Sequence, residues 1–540
     1  MKRVFLLFIA VLLSSIFIGS STYADVTVTS ANGDVITFTD EEIGSIAAGG
    51  KQPFKGKEVT ITVNTGGPKG GISGPLFEWR DAWEKLTGAK LNIVEIPIAE
   101  QFQKVMIDLQ TGAGNYDACM PAASWYGDLV TGGFAFSPDA FYDDPRFPKW
   151  HREYLPESLV NLHTWQGKWY GVPNDSDGQV LYYRKDILTD PEWQKAFKAD
   201  LGYDLPVPPK TWDQVYDIAN FFNNKDWDRD GKVEKDSGIA LHFQVHNQGM
   251  YHFVSLSAAF TVLPGDKVDK CHNVYWFDPD TMKPLINEPG HVRALEFLIK
   301  LTKTGPAAAI AWDLGTAWDY FLRGDAIFTF SWGDVGSLVQ DESRSKMKGK
   351  MGASVLPGSY EVYDRCKESF VKLDKPNVIG NPTGGSWHGV ILNSAKDKGV
   401  EEAIYHLLAF HATPKISMWN VTRGWTGVDP GWTLHYLKEQ GGMSTIEDYV
   451  AQGWNANDVA DYTQAYHDTF FAETVQSYIR IPGGEEFWYK LDEHLSEAIS
   501  GQVGAKEALD RTAKDWNDIN KRFGMKEQLK FYQQSIGYQP

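Results

Sequence analysis

The feature that most constrains the fold of this chain is a repeated alternation of strand-like and helix-like segments, which begins at Lys57. Apolar and polar residues alternate over 59–64, and this period of two predicts a strand. After a glycine-rich loop, apolar side chains recur at helical spacing over 76–86, and Gly88 ends the predicted helix. Strands that alternate with helices predict an α/β fold in which helices cover both faces of a parallel sheet.

The same alternation continues to the end of the chain. We predict further strands over 91–96, 118–120, 324–330 and 389–392, and further helices over 101–111, 212–222, 292–301, 400–410, 487–499 and 505–523. A chain of 540 residues is too long for one core and long enough for two or three domains. Residues 25–56 precede the regular pattern, and we interpret them as an extension that could include a short hairpin.

The first residues have the form of an export signal. Lys2 and Arg3 precede an apolar stretch from Val4 to Gly19, which has the length of a signal peptide and is short for a membrane span. Small residues up to Ala24 favour cleavage after that residue, and a retained N-terminal anchor is the alternative. We therefore expect the mature protein in the periplasm.

The amino-acid composition argues against some classes of binding partner. The net charge is −18 at pH 7, which argues against nucleic acid or an anionic membrane surface. The chain also contains 20 tryptophans, and a soluble protein rich in tryptophan often uses some of these rings to stack on ligands while most of them fill the core.

The three cysteines permit one disulfide and one free thiol in an exported chain. We pair Cys271 with Cys366, because Cys119 lies in an apolar stretch that predicts a buried strand end. Three reduced thiols are the alternative.

Several short segments occur in an order and spacing typical of one protein family. They are Trp83-Glu84-Lys85-Leu86-Thr87-Gly88, Tyr116-Asp117 with Ser124-Trp125, Gly167 to Pro173 followed by Leu181 to Asp186, Phe321 to Ala326, Gly384-Gly385-Ser386-Trp387, and Phe487-Trp488-Tyr489. From about Lys57 to Gly524 the chain resembles the bacterial extracellular solute-binding proteins, the sugar-binding family that includes maltose-binding protein. The segments are specific for the fold and the transport role, and not for the ligand.

The resemblance implies a type II periplasmic-binding-protein fold, in which two α/β lobes are joined by a hinge of several crossing segments and enclose a ligand cleft. We place lobe 1 at 57–178 and 381–412, and lobe 2 at 179–380 and 413–540. The resemblance also implies a monomer that captures a small hydrophilic solute and delivers it to the permease of an ABC importer. The solute would be a sugar, an oligosaccharide or a polyol.

Residues at strand ends and lobe crossings are the candidates for ligand contacts. A sugar needs carboxylates or amides for its hydroxyls and aromatic rings for its apolar face. The candidates are Ser124, Trp125, Asn174, Asp175, Asp177, Trp332, Asp334, Ser386, Trp387 and Trp425. The resemblance implies a cleft carboxylate at Asp177. The alternatives are packed tryptophans and, for the polar run that begins at Asn174, a turn.

Two further positions bear on the ligand. The resemblance aligns Trp488 with a ring that contacts sugar in the maltose-binding branch, but its place on a predicted helix favours core packing. Lys69 lies in the glycine-rich loop before a helix, whose N-terminus could hold an anionic group. A binding protein for an anionic ligand such as a glycerol phosphate is therefore one alternative.

The segment Asp226 to Gly231 has the DxDxDG form of a calcium-binding loop. The predicted metal-binding positions are Asp226, Asp228, Asp230, Lys232, Glu234 and Asp236. Ser237 occupies the twelfth position in place of glutamate, so the pattern is incomplete and a solvated acidic turn is the alternative. A bound Ca²⁺ would be structural.

A secreted glycosidase or polysaccharide lyase is the main competing function, because 70 acidic residues allow many carboxylate pairs. The sequence lacks HExxH, CxxC, GxSxG, Walker A and GxGxxG motifs, which favours a protein without catalytic residues. A sensory module that presents its liganded form to a membrane receptor is a third possibility.

Overall fold

The computed structural model describes residues 25–65, 68–233 and 236–539, without the side chains of 68–70. The predicted export signal therefore lies outside the described residues. The first described strands, Val26–Thr29 (β1) and Val35–Phe38 (β2), form an antiparallel hairpin within the extension predicted over 25–56.

The remaining described strands form two larger sheets and two further strand pairs. They are Glu58–Thr65 (β3), Lys90–Pro97 (β4), Ala118–Cys119 (β5), Ala135–Phe136 (β6), Thr164–Trp165 (β7), Lys168–Trp169 (β8), Gly171–Pro173 (β9), Val180–Arg184 (β10), Ser237–Ile239 (β11), Ala326–Ser331 (β12), Met351–Ser354 (β13), Glu361–Asp364 (β14), Ser369–Lys372 (β15) and His388–Leu392 (β16).

The first larger sheet has the strand order β4-β3-β5-β16-β6, and β9 also pairs with β16. Strand β3 runs parallel to β4 and β5, and the predicted apolar positions Val59, Ile61 and Val63 are fully buried. Strand β16 runs antiparallel to β5, β6 and β9. The sheet is thus mixed, and the prediction of a parallel sheet is wrong for β16, because this strand enters only after the chain returns from the second sheet.

The second larger sheet has the strand order β11-β12-β10-β13 and is built entirely from residues 180–354. It is also mixed, since β10 runs antiparallel to β12 and β13 whereas β11 runs parallel to β12. The segment 174–179 leads from β9 in the first sheet to β10 in the second, and 381–387 leads back into β16. The predicted changes of lobe at 178/179 and 380/381 fall within the first of these segments and at the start of the second, and the lobe bounds themselves stay a prediction.

The seven predicted helices are all present, and the described residues form further helices that the sequence did not predict. The described α-helices are Asp40–Ile43 (α1), Gly74–Thr87 (α2), Ile98–Thr111 (α3), Tyr126–Thr131 (α4), Asp139–Tyr142 (α5), Glu157–His163 (α6), Lys185–Leu188 (α7), Pro191–Leu201 (α8), Trp212–Phe222 (α9), Met250–Thr261 (α10), Pro289–Thr302 (α11), Leu314–Leu322 (α12), Asp334–Val339 (α13), Asn393–Asp397 (α14), Glu401–His411 (α15), Pro414–Thr422 (α16), Ile446–Val450 (α17), Ala456–Phe470 (α18), Gly484–Ile499 (α19), Ala505–Phe523 (α20) and Met525–Ser535 (α21). As predicted, α2 ends at Gly88, which adopts φ 76°. No helix in the described ranges is both long and apolar enough to cross a membrane.

The C-terminal segment does not belong to the second lobe throughout. Helix α16 packs beside the first sheet: Trp419 Nε1 donates to Asp34 Oδ2 at 3.1 Å, and its ring meets Trp79 of α2 edge-on at 5.2 Å. The predicted assignment of 413–540 to lobe 2 is therefore wrong for α16, because its apolar face is covered by the hairpin side of the molecule. Helix α18 does lie beside the second sheet, where Asp458 Oδ2 accepts from Gly349 N at 2.8 Å.

Most of the 20 tryptophans are buried. Nine of them are less than 2% exposed: Trp79, Trp83, Trp150, Trp212, Trp227, Trp276, Trp432, Trp488 and Trp516. The prediction that Trp488 packs in the core is confirmed, since its ring contacts Trp276 and Tyr251.

Cys271 and Cys366 form the predicted disulfide, with Cα atoms 5.7 Å apart. The bond ties the loop that follows α10 to the turn between β14 and β15. Cys119 is the buried free thiol in β5, as the sequence predicted.

Candidate functional site

A cavity of about 520 Å³ is lined by residues that follow strands of both larger sheets. Asn64 and Thr65 lie at the end of β3, and Ile98 lies at the start of α3 directly after β4. On the other side, Trp332 and Asp334 follow the end of β12. Open α/β sheets bind ligands outside the carboxyl ends of their strands, so this interlobe cleft is the candidate site.

Other cavities of similar size are less suited to the role. One of about 510 Å³ lies among Trp165, Arg480 and Gln534, one of about 980 Å³ lies around Pro208 and Phe471, and one of about 630 Å³ lies beside α16. Among the described residues, the interlobe cleft brings together the most aspartates and three tryptophan rings, which is the composition expected for a specific small-molecule site.

Four aspartates converge at one end of the cleft. Asp175, Asp177 and Asp334 line it, and Asp429 lies directly behind them. Asp175, Asp177 and Asp429 each place a carboxylate oxygen within 4.8 Å of the others, and these three residues are at most 5% exposed. Asp429 N donates to Asp175 Oδ1 at 2.7 Å, whereas the buried Asp429 Oδ1 has no hydrogen-bond partner among the described residues.

The buried aspartates do not titrate as ordinary carboxylates. Burial raises the pKa of Asp429 to about 7, and it raises the pKa values of Asp175, Asp177 and Asp334 well above their usual range, with mutual repulsion as a second cause. The cluster therefore holds protons near neutral pH, or it requires a cation.

The surroundings of Asp429 agree with a bound proton. The Tyr466 hydroxyl lies 2.7 Å from Asp429 Oδ2 and 2.8 Å from the carbonyl oxygen of Gly178. A hydroxyl has one proton to donate. If Tyr466 donates this proton to the Gly178 carbonyl oxygen, a proton on Asp429 can be donated to the Tyr466 oxygen and forms the second hydrogen bond.

Three tryptophans line the cleft with their rings fixed by other groups. Trp332 Nε1 donates to the Thr383 carbonyl oxygen at 2.8 Å, and Trp318 Nε1 donates to Ser331 Oγ at 2.8 Å. The third ring belongs to Trp387, in the return crossing. Because these two indole N–H groups already have protein acceptors, Trp332 and Trp318 offer apolar ring surface rather than hydrogen-bond donors.

A sequence model of the bacterial extracellular solute-binding protein family matches residues 78–418. The chain belongs to this family. Among curated relatives, a probable amino-acid ABC transporter periplasmic-binding protein of Sinorhizobium fredii is 22% identical over 322 residues, which cover 58% of this chain and 64% of the relative. The chain thus spans less than two thirds of that relative's length.

Solved structures share the fold of this solute-binding protein. A ribitol complex of an ABC transporter solute-binding protein from Agrobacterium radiobacter has a TM-score of 0.63 at 18% identity and covers 86% of this chain and 99% of its own. A mannitol-bound homologue from Agrobacterium vitis has a TM-score of 0.61 at 21% identity, with coverage of 87% and 99%. Maltose-bound MalE3 of T. maritima has a TM-score of 0.61 at 18% identity, with coverage of 86% and 99%. The predicted two-lobed α/β fold is confirmed.

Five of the ten ligand-binding residues predicted for this solute-binding protein line the cleft. They are Asp175, Asp177, Trp332, Asp334 and Trp387. These five side chains lie close together because both crossing segments run beside the residues that follow β12. That these five side chains contact the ligand stays a prediction.

Ser124 and Trp125 do not line the cleft, contrary to the prediction. Ser124 Oγ donates to Glu485 Oε1 of α19 at 2.5 Å, and Trp125 packs edge-on against Phe102 at 5.1 Å. Helix α19 therefore covers the end of β5 that the sequence left open to ligand.

Asn174, Ser386 and Trp425 also lie outside the cavity lining. Asn174 immediately precedes Asp175, which does line the cleft. Ser386 adopts φ 55° after Gly384 and Gly385, and this turn leaves its side chain fully buried. Trp425 is half-buried because it packs against Trp419 of α16 at 5.7 Å.

The sequence analysis missed several cleft residues. Asn64 follows the apolar positions of β3, and its place at a carboxyl strand end was a usable signal. Gln248 and Arg344 lie in irregular segments that carry no motif. Arg344 Nε is fixed by Asp319 Oδ1 at 2.7 Å, a pairing between residues 25 positions apart that no local pattern reveals.

The DxDxDG loop has the conformation of a cation-binding turn. Asp226, Asp228 and Asp230 place carboxylate oxygens within 4.8 Å of one another. Gly231 adopts φ 82°, and its N–H donates to Asp226 Oδ1 at 3.2 Å. Oxygen ligands at alternate positions around a tight turn suit Ca²⁺.

Two other predicted positions of the loop are described. Lys232 N donates to Asp230 Oδ1 at 2.8 Å, so Lys232 continues the turn. Asp236 is 3% exposed, and its Oδ2 has no hydrogen-bond partner among the residues that the structure describes. Burial, together with repulsion from Asp228 and the other loop carboxylates, raises its pKa to about 7. Glu234 lies outside the described residues.

Proposed function

We propose that this protein is the substrate-binding component of an ABC importer, which captures a small hydroxylated solute in the interlobe cleft and delivers it to the permease. The observation that carries the proposal is the convergence of buried carboxylates and tryptophan rings at the strand ends of two sheets. Carboxylates bind hydroxyl pairs, and rings cover the C–H face of a sugar or polyol.

The comparisons support a sugar or polyol as the solute. The similar structures contain ribitol, mannitol and maltose, and the Sinorhizobium relative is named as part of an ABC transporter. We also propose that the protein acts as a monomer in the periplasm, after removal of residues 1–24. N-terminal sequencing of the exported protein tests the cleavage after Ala24.

A panel of ribitol, mannitol, maltose and related sugars tests the function by thermal shift and calorimetry. A true ligand stabilises the folded protein by about 2.7 kcal/mol at about 100 times its Kd. Asp177→Ala should abolish this shift. Asp204→Ala should not, because Asp204 is an exposed residue paired only with Lys198 on the surface.

Binding should occur without turnover. We propose that the chain has no catalytic function, in keeping with its family. Prolonged incubation with candidate oligosaccharides, followed by chromatography, should return them unchanged. Release of shorter products would favour the glycosidase alternative, and the absence of any thermal shift across the panel would contradict solute capture.

We further propose that the loop around Asp228 holds one structural Ca²⁺. Its carboxylates repel one another without a cation, and Asp236 adds a buried oxygen nearby in the chain. Protein treated with a chelator should melt at a lower temperature than protein with added Ca²⁺. Asp228→Asn should remove this difference and Asp204→Asn should keep it. Identical melting curves with and without chelator would contradict the proposal.

A further inference from the structure

We infer that the solute carries a protonated amine beside its hydroxyl groups, as an amino sugar or an amino polyol does. This inference rests on the proposed binding function and names the chemical class of its ligand.

The first support is the charge of the cleft wall. Its lining contains five aspartates, namely Asp175, Asp177, Asp313, Asp319 and Asp334. Arg344 is the one cationic side chain among the described lining residues; its Nε pairs with Asp319, and its Nη1 has no partner among the described residues. A cleft with this excess of carboxylates attracts cations and repels phosphate or carboxylate groups.

The second support is an acceptor that the protein leaves without a donor. Asp429 is 1% exposed; its Oδ2 accepts the Gly333 N–H and lies 2.7 Å from the Tyr466 hydroxyl oxygen. Its Oδ1 has no hydrogen-bond partner among the described residues, and one of its carboxylate oxygens lies within 4.8 Å of those of Asp175 and Asp177. A buried carboxylate oxygen without a partner is costly. An ammonium group has three donors and the charge that the cluster lacks.

The third support is the placement of an aromatic ring beside the carboxylates. Gly384 in the return crossing approaches both groups so closely that an added Cβ would lie 2.6 Å from Trp332 Nε1 and 2.7 Å from Asp177 Oδ2. Asp177 and Trp332 are thus neighbours across Gly384, and both side chains line the cleft. Organic cations bind best where carboxylates and a tryptophan ring meet.

A divalent metal is the competing cation, because Asp175, Asp177 and Asp429 have the spacing of metal ligands. The tryptophan rings favour an organic cation, since they offer no ligand to a hard metal ion. A neutral polyol would instead use the same aspartates in their protonated form.

Matched pairs of solutes distinguish these cases by calorimetry at pH 7.5 with the full mature chain. The pairs are D-glucose with D-glucosamine and D-sorbitol with D-glucamine, and CaCl₂ alone is a separate titration. We expect the amine of at least one pair to bind about tenfold or more tightly than its neutral partner. Asp177→Asn and Asp334→Asn should each remove most of this preference, while Asp204→Asn should retain it.

The outcomes separate the two proposals. If the neutral partner binds as tightly as the amine or more tightly, the amine proposal is overturned and solute capture stands. The same conclusion follows if neutral sugars bind and no amine does. Stoichiometric Ca²⁺ binding that is lost in Asp177→Asn overturns the amine in favour of a metal. If no solute binds, both proposals fail. The melting temperature of each variant is measured in parallel, and a folded Asp177→Asn with unchanged preference also overturns the inference.

Discussion

Asp429 shows how a residue outside the cleft governs the charge inside it. It does not line the cavity, yet its backbone N–H fixes Asp175 and its carboxylate shares the buried cluster. Its position also holds Gly333, whose N–H donates to Asp429 Oδ2 at 2.7 Å. A change at Asp429 should therefore affect both the stability of the protein and the charge of the buried cluster.

We expect Asp429→Asn to stabilise the ligand-free protein above neutral pH. The pKa of Asp429 is raised from its ordinary value of 3.8 to about 7. A group with a raised pKa contributes stability below the unfolded pKa, and this contribution is lost as pH rises through the folded pKa. The wild-type free energy of unfolding should therefore fall between about pH 4 and pH 7, and the variant should show a smaller fall. Urea unfolding at pH 5 and pH 7.5 measures the difference.

The control for this prediction is Asp204→Asn, which makes the same chemical change on the surface and should keep the wild-type pH dependence. A pH profile of Asp429→Asn that coincides with wild type would show that Asp429 is ionised throughout.

Sequence reasoning identified some of these residues and not others, for a physical reason. Asp175 and Asp177 were found because the resemblance implied a lobe crossing at this point of the chain and a cleft carboxylate at Asp177. Asp429 and Arg344 were missed because each acts through a partner distant in the chain, Gly333 for one and Asp319 for the other. Only the folded chain brings such pairs together.

Among the elements, the return crossing 381–387 is the most tightly constrained. Gly384 adopts φ 109°, a conformation that L side chains rarely take, and it packs against Trp332 and Asp177. The absence of a side chain at this position lets the crossing pass directly over the cleft wall.

Gly384→Ala should lower both stability and ligand affinity, because the added methyl group displaces Trp332 and Asp177. We expect a loss of about 2–5 kcal/mol in the free energy of unfolding. Gly399→Ala is the matched control: this glycine also has positive φ, at 65°, but nothing lies within 4 Å of an added Cβ. It should lose about 1–2 kcal/mol and keep full affinity. Equal effects of the two variants would show that backbone strain alone matters.

Elements with a clear apolar period were predictable, whereas α10, which is buried on nearly every face, and most of the short elements were not. Helix α9 was predicted at both ends, because Thr211 caps its first turn and the apolar spacing is regular. Strands β6 and β9 have only two and three residues, too few for a period to show. The direction of β16 could not be predicted from the local pattern either, since it depends on the route by which the chain returns to the first sheet.

At the scale of the whole molecule, the two sheets differ in how the chain completes them. The second sheet comes from the continuous stretch 180–354, whereas the first needs β16, a strand that arrives more than 200 residues after β9. Val390 and Ile391 of β16 are fully buried between β5 and the strands beyond it.

A chain that ends at residue 380 should therefore fail to form the first sheet. Strand β5 would lose one of its two neighbours, and the core beside it would be exposed. Hydrogen exchange should show protected amides in β3 of the 25–539 chain and unprotected amides there in the 25–380 chain. Protection of β3 in the shorter chain would show that the first sheet folds without its return strand.

The reactivity of Cys119 reports how often the first sheet opens. The thiol lies in β5 between β3 and β16, and burial raises its pKa, so it neither meets solvent nor ionises readily. The other two cysteines are joined to each other. A thiol reagent can therefore react with the native chain only at moments when the first sheet parts. The rate of that reaction therefore measures how often the first sheet opens. A ligand that holds the two lobes together would slow the reaction, and the measurement needs no engineered label.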